Sequence, residues 1–438
     1  MGILAKPFNR VLFLLCVLAT GAIAGAFVWL FFFAMSKGIA FIWSTLPSLL
    51  GNICPETAPA LASGPFGFLP YPFIVCLLGG LIIGLYEKKT QIRTEELNEV
   101  MASVKETGRY EYGNLGKLSV SALLPLLFGG SIGPEAGLTG VIAGLCTWVG
   151  DRMRRFGADF RALTLLGTQA ALTALFTAPI YGFVAPLTGS PEGTGEYDSI
   201  KLPKAQKAVV YGCAIAGALG AFMVLGQIFG GGMGMPRFDA AEVGAQELMW
   251  LIPLALAGTA CGWLFHASNK GTAMLSDKLG DKPIAKALIA GLALAICGSV
   301  LPYTLFAGEE QANLLMERYT TLSAAALIAT AFVKAAVTPA CINLGWRGGH
   351  FFPIIFAGVS LGYGFALVSG IDAVFCVACC TAGVLGAVMR QPIMVVLLLF
   401  MCFPPKGIAA MLCAAVIGSA IPLPKALQPK EAKLSNQN

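Results

Sequence analysis

Seven stretches of this chain (11–36, 69–86, 209–229, 248–265, 285–301, 322–340 and 351–368) are apolar and almost free of charge. Each is close to the roughly 20 residues a helix needs to cross the hydrocarbon of a bilayer. Over the whole chain 57% of residues are hydrophobic and only 12% are charged, where an ordinary soluble domain carries about 25% charge. A water-soluble fold cannot hide that much apolar surface. The chain is therefore expected to be an all-α polytopic membrane protein; disordered, fibrous, nucleic-acid-binding and secreted disulfide-rich classes are excluded. The net charge of +6 does not mark a nucleic-acid partner, because the basic residues lie in short loops between the apolar runs, where they orient a chain in the bilayer.

Other apolar runs are short or interrupted: 118–130, 136–150, 162–178, 180–187, 373–389, 393–403 and 408–421, nearly all punctuated by Gly or Pro. Broken helices are tolerated at membrane depth only where protein buries them or they line a cavity. The pattern suits a transporter or channel, and on this reading much of the Gly content (53 residues) marks broken helix ends. Basic residues precede the first span (Lys6, Arg10), follow the second (Lys88, Lys89, Arg93), and recur at Arg152, Arg154, Arg155 and Arg161 and at Lys425, Lys430 and Lys433. The positive-inside rule places both termini and these loops in the cytoplasm. The first run has no clear small-residue cleavage site and reads as a retained helix, and the stretch after Pro422 is too short for a cytosolic domain of usual size. Within the polar loop 87–117, the spacing of Val100, Met101 and Val104 among Glu95, Glu96 and Glu99 predicts a solvated amphipathic helix over 92–107.

Two regions resemble one another in order. Gly133-Pro134-Glu135-Ala136-Gly137 aligns with Gly349-His350-Phe351-Phe352-Pro353 at an offset of 216, and Thr168…Ala178-Pro179-Ile180 aligns with Thr381…Gln391-Pro392-Ile393 at 213. The chain thus divides into related halves, 1–200 and 201–438, forming one membrane domain with a site expected where they meet.

Glu135 is the exceptional residue. An ionisable side chain at membrane depth is costly and points to function. Pro134 suits a helix start, so residues 133–137 predict a helix N-terminus whose free N–H groups and positive dipole end can hold an anion. Two readings stand: the carboxylate occupies the anion site as a tethered anion and leaves it on protonation, or it merely stabilises the helix dipole. The second element, Gly345-Trp346-Arg347-Gly348-Gly349-His350-Phe351-Phe352-Pro353, precedes the matching helix, where Arg347 and His350 add positive potential or serve as an interfacial cation and a neutral hydrogen-bonded imidazole. Lys334 is an intramembrane cation that pairs with an acid or belongs to the pathway. Cys376, Cys379 and Cys380 lie inside an apolar run and read as packing. With only His266 and His350, no metalloprotease motif exists, and no nucleotide-binding G-x-x-x-x-G-K-[ST] occurs, so neither enzyme activity nor a metal or other cofactor is expected.

At these residues the sequence resembles the CLC family of chloride channels and proton-coupled chloride antiporters. Gly133-Pro134-Glu135-Ala136-Gly137 is similar to its G-[KR]-E-G-P motif, and Gly349-His350-Phe351-Phe352-Pro353 fits its G-x-F-x-P motif. The resemblance implies two inverted-topology repeats of tilted, broken helices and a homodimer in a bacterial inner membrane with one pathway per subunit. It implies Glu135 as the gate, and Gly133, Pro134, Ala136, Gly349, His350, Phe351 and Phe352 around the anion. The transported species would be chloride or a similar small anion, with protons as the antiporters' second ion. The alternative is a secondary transporter of another anion, such as fluoride, or of a small organic solute. The family's G-S-G-I-P serine has no counterpart before Glu135, Pro424 stands near the place of its anion-coordinating tyrosine, and Thr188-Gly189 stand where the antiporters carry an inner proton-transfer glutamate, with Glu192 and Glu196 nearby.

Overall fold

A computed structural model describes residues 7–53, 69–95, 97–153, 160–188, 204–231, 235–239, 241–424 and 427. Lys6, Arg154, Arg155, Glu192, Glu196, Lys425, Lys430 and Lys433 lie outside these residues. Helix α1 (Pro7–Ala40) continues through a π-helical turn into α2 (Leu46–Ile53). Next come α3 (Pro70–Thr90), α4 (Leu97–Thr107), α5 (Leu115–Leu127), α6 (Glu135–Met153), α7 (Phe160–Phe176) and α8 (Pro179–Thr188). The rest of the chain forms α9 (Lys204–Phe229), α10 (Ala245–Leu279), α11 (Pro283–Val300), α12 (Glu309–Arg318), α13 (Ala324–Asn343), α14 (Phe351–Ser369), α15 (Ala373–Met389), α16 (Pro392–Leu399) and α17 (Ile408–Ala420). Proline opens α3, α8, α11 and α16, at positions where its missing N–H has no helical partner to lose.

All seven long apolar runs are helical, and among the described residues seven helices are long and apolar enough to cross a membrane. The fold is an all-helical multi-pass bundle. The outer spans are 39% buried whereas α14 is 78% buried, which puts α14 at its centre. The order α6–α7–α8 is repeated by α14–α15–α16: a helix starting at a chain break, a second helix packed on it, then a short helix beginning at proline.

Two expectations change. Many glycines lie at helix crossings rather than at broken ends. Gly21 and Gly25 of α1 sit against the backbone of Ala214 and Ala218 of α9, and Gly358 and Gly362 of α14 against Thr381 and Val377 of α15. Between membrane helices association depends on close packing, which small residues permit. The polar loop also differs: 91–95 is not helical, and α4 is not simply solvated, because Val100 and Val104 are fully buried and α4 packs on α6 and α7. Its apolar stripe found a protein face rather than water.

Candidate functional site

Two chain breaks build the site. Between α5 and α6, and again between α13 and α14, the backbone leaves helical geometry, and the two segments meet. The N–H of Gly133 donates to the Gly349 carbonyl (2.8 Å) and the N–H of Gly349 to the Gly133 carbonyl (2.7 Å), an isolated antiparallel bridge. It ties together the N-terminal ends of α6 and α14. The pairing satisfies backbone groups that hydrocarbon would leave dry.

Glu135, the first residue of α6, is fully buried. Its Oε1 accepts the Phe351 N–H at 2.6 Å, so the side chain of one helix start caps the other. Oε2 has no partner. The positive dipole end and free N–H groups of α14 favour a carboxylate here, and a charge-assisted hydrogen bond is about twice as strong as a neutral one. Gly133 and Gly349 flank the carboxylate so closely that a Cβ on either would overlap it; the slot exists because both are glycine. The Pro134 carbonyl accepts the first helical bond of α6, from Leu138 N–H at 2.9 Å, and Thr139 Oγ1 donates to the Glu135 carbonyl. Glu135, Ala136, Gly349, His350 and Phe351 share one small open cavity with Leu97.

Aromatic packing closes the other side. Phe352 stacks on Phe176 (centroids 5.4 Å) and Phe351 meets the same ring edge-on (5.8 Å), while Tyr181 packs on Phe176 at 6.3 Å. Sequence reasoning missed Phe176 and Tyr181, although they flank the Ala178-Pro179 break it had found. The imidazole of His350 is packed among aromatic rings, 4.6 Å from Phe351 and 5.4 Å from Phe265. The break before α14 is anchored by Trp346, which is fully buried and donates from Nε1 to the Ala287 carbonyl (2.8 Å). Ser131 Oγ and Thr338 Oγ1, 3.1 Å apart, link the break before α6 to α13.

Three further buried polar groups, Thr94, Lys334 and Glu309, lie along the same breaks. Thr94, in the extended segment before α4, is buried with Oγ1 unpartnered, and its methyl lies 3.7 Å from where a Cβ on Gly137 would be. The charged run around it (Arg93, Glu95, Glu96) hid it from sequence analysis. Lys334 is fully buried, and its ammonium is held by carbonyls: Tyr303 (3.4 Å), Thr304 (3.3 Å), Leu305 (3.0 Å) and Phe306 (2.8 Å), with the Phe356 ring 4.8 Å away. Among the described residues no carboxylate lies within ion-pair distance of it. Phe306 N–H donates to the Gly129 carbonyl at 3.1 Å, joining this cradle to the break before α6. Glu309, buried at the start of α12 with Oε1 unpartnered, lies within electrostatic range of both Lys334 and Glu135.

Known proteins share this architecture. The chain resembles the solved structure of a slow cyanobacterial Cl−/H+ antiporter, with TM-score 0.72 and 18% identity over 93% of each chain. A CLC-type fluoride/proton antiporter superposes with TM-score 0.67 and 17% identity over 95% of this chain and 96% of that one. In sequence, chloride channel protein CLC-e of Arabidopsis thaliana is 24% identical over 324 residues, 68% of this chain but only 42% of the plant protein. A sequence model described as voltage gated chloride channel matches residues 75–422, most of the chain and both helix breaks that meet at Glu135, and the chain belongs to that family.

Proposed function

We propose that this protein moves small monovalent anions, chloride foremost, across a membrane through one pathway in each subunit of a homodimer, with Glu135 as the gate. The carrying observation is the Glu135 carboxylate seated on the Phe351 N–H at the start of α14, where a free anion would otherwise bind. A carboxylate there competes with the anion; once protonated it loses most of its attraction for the helix end and vacates the slot. Gly133, Pro134 and Ala136 of one half, and Gly349, His350, Phe351 and Phe352 of the other, form the anion's surroundings, the halves 1–200 and 201–438 acting as the two sides of one site. The orphaned hydroxyl of Thr94 is suited to donate to the anion in place of the family's serine. The basic end of α3 (Lys88, Lys89) supports a cytoplasmic position for that end in a cell inner membrane. Chloride is named before fluoride because the matching sequence model is described as voltage gated chloride channel and the Arabidopsis relative as a chloride channel protein.

The test is reconstitution in liposomes with an imposed anion gradient, recording chloride, fluoride and protons together. Anion efflux that rises on acidification supports the reading, and no flux of any small anion at any pH sinks it. Uphill proton movement marks an antiporter, and its absence marks a channel. Gly349→Ala provides a separate expectation: its Cβ overlaps the seated carboxyl, so Glu135 is pushed out and efflux at neutral pH becomes faster than wild type. Efflux as slow and as acid-sensitive as wild type would show that the carboxylate is not held in that slot.

A further inference from the structure

A second charged cavity lies along the same two chain segments that line the Glu135 cavity. Glu87, Ile92, Arg93, Gly345 and Arg347 are among its lining residues, while Leu97 and residues 348–351, a few positions further along each segment, line the Glu135 cavity. Buried Thr94 lies between the two on the first segment. The Nε of Arg347 is buried without a partner. Arg93 Nε pairs with Glu87 Oε1 at 2.7 Å; Arg93 is half exposed (51%) and Glu87 nearly covered (12%). Arg93 Nη2 also reaches the exposed Asp281 at 3.2 Å. Gly345, at φ +94°, turns the chain so that Glu87 Oε2 lies 3.4 Å from the place a Cβ would take. The Glu87 carboxylate is thus placed between Arg93 and the Gly345–Arg347 turn.

We propose that Arg93 and Arg347 form a binding subsite for a small monovalent anion at the approach to the Glu135 cavity, and that Glu87 is its resident competitor. Arg93 is shared by Glu87 and the exposed Asp281, which leaves Arg347, among the described residues, as the cavity's cation without a carboxylate, and a buried N–H with no acceptor is a standing cost that an anion removes. A guanidinium offers several donors in a fixed plane, so Arg347 and Arg93 can hold an anion from two sides. A half-exposed guanidinium exchanges partners readily, because solvent screens the pair it leaves. The anion therefore meets two tethered carboxylates in series: Glu87 on the guanidinium pair, then Glu135 on the helix ends. This inference rests on the anion-transport reading above.

The experiment measures initial efflux from liposomes against chloride concentration for wild type, Glu87→Gln and Arg347→Gln. Removing the competitor should lower the half-saturating chloride concentration several-fold; removing the unpartnered guanidinium should raise it several-fold. The acid activation set by Glu135 should persist in both. Wild-type half-saturation in both variants overturns the proposal, whereas absence of wild-type flux overturns the transport reading instead. Glu87→Asp and Arg347→Lys, milder changes in size, should shift in the same directions by less. Bromide soaked into crystals of the unmutated protein gives a reading independent of folding: an anomalous peak beside Arg347 Nε supports the subsite, and a peak at the Phe351 N–H with none beside Arg347 overturns it.

Discussion

Vesicles carrying Glu135→Ala are expected to release chloride about tenfold or more faster than wild type at neutral pH, and to do so equally fast in acid. A hydrogen bond to a charged group contributes roughly 1.5–3 kcal/mol, and each 1.4 kcal/mol is a factor of ten in occupancy. Deleting the carboxylate therefore frees the start of α14 by about that factor. The sign follows from charge. In the wild type the ionised side chain, accepting the Phe351 N–H at 2.6 Å, blocks the site, and acid releases it by neutralising it, so flux rises as pH falls. Alanine has nothing to titrate, and its profile is flat. Glu135→Gln keeps the shape without the charge and should resemble the acid form of the wild type at every pH. If the protein also carries protons, both variants lose proton movement while anion efflux persists. Efflux falling to background in Glu135→Ala would mean that the carboxylate takes part in transport rather than obstructing it.

What the sequence disclosed about this site was local. Pro and Gly before an apolar run announce a helix start, so Glu135 and Phe351 were placed at helix N-termini, and the repeat paired them across 216 residues. The seven spans were equally plain, since a run of about 20 apolar residues has few other fates. What stayed hidden depends on contacts between distant segments. No local pattern tells that Gly133 and Gly349 exchange backbone hydrogen bonds, or that Gly21 touches Ala214 rather than ending a helix. Val100 and Val104 formed a recognisable stripe, but whether it faced water or α6 depended on a partner elsewhere in the chain. Thr94 was masked by charged neighbours, and Glu87 and Arg347 drew together across a cavity that only the folded chain creates.

Lys334→Met is expected to destabilise the fold more than any of the substitutions at Glu87, Glu135, Arg347 or Gly349. The obvious reading of an intramembrane cation is an ion pair, yet the ammonium instead donates to four successive carbonyls, Tyr303 to Phe306. Methionine matches its length and apolar character, so the substitution removes the donors while leaving little void. Each carbonyl left dry costs roughly 1–3 kcal/mol, so losing even two or three suitable partners amounts to about 3 kcal/mol or more. Glu309, within electrostatic range, loses a nearby cation as well. Arginine is no remedy, because its larger planar group does not fit a cradle built round a compact ammonium. The damage should also reach the gate, since Phe306 N–H holds the Gly129 carbonyl at the break leading to Glu135. The measurement is the thermal transition and size-exclusion profile of the detergent-purified protein: the methionine variant should unfold at clearly lower temperature and aggregate. A variant that unfolds with the wild type and elutes as it does would show that the cradle stabilises nothing, and would move Lys334 from the scaffold to the pathway.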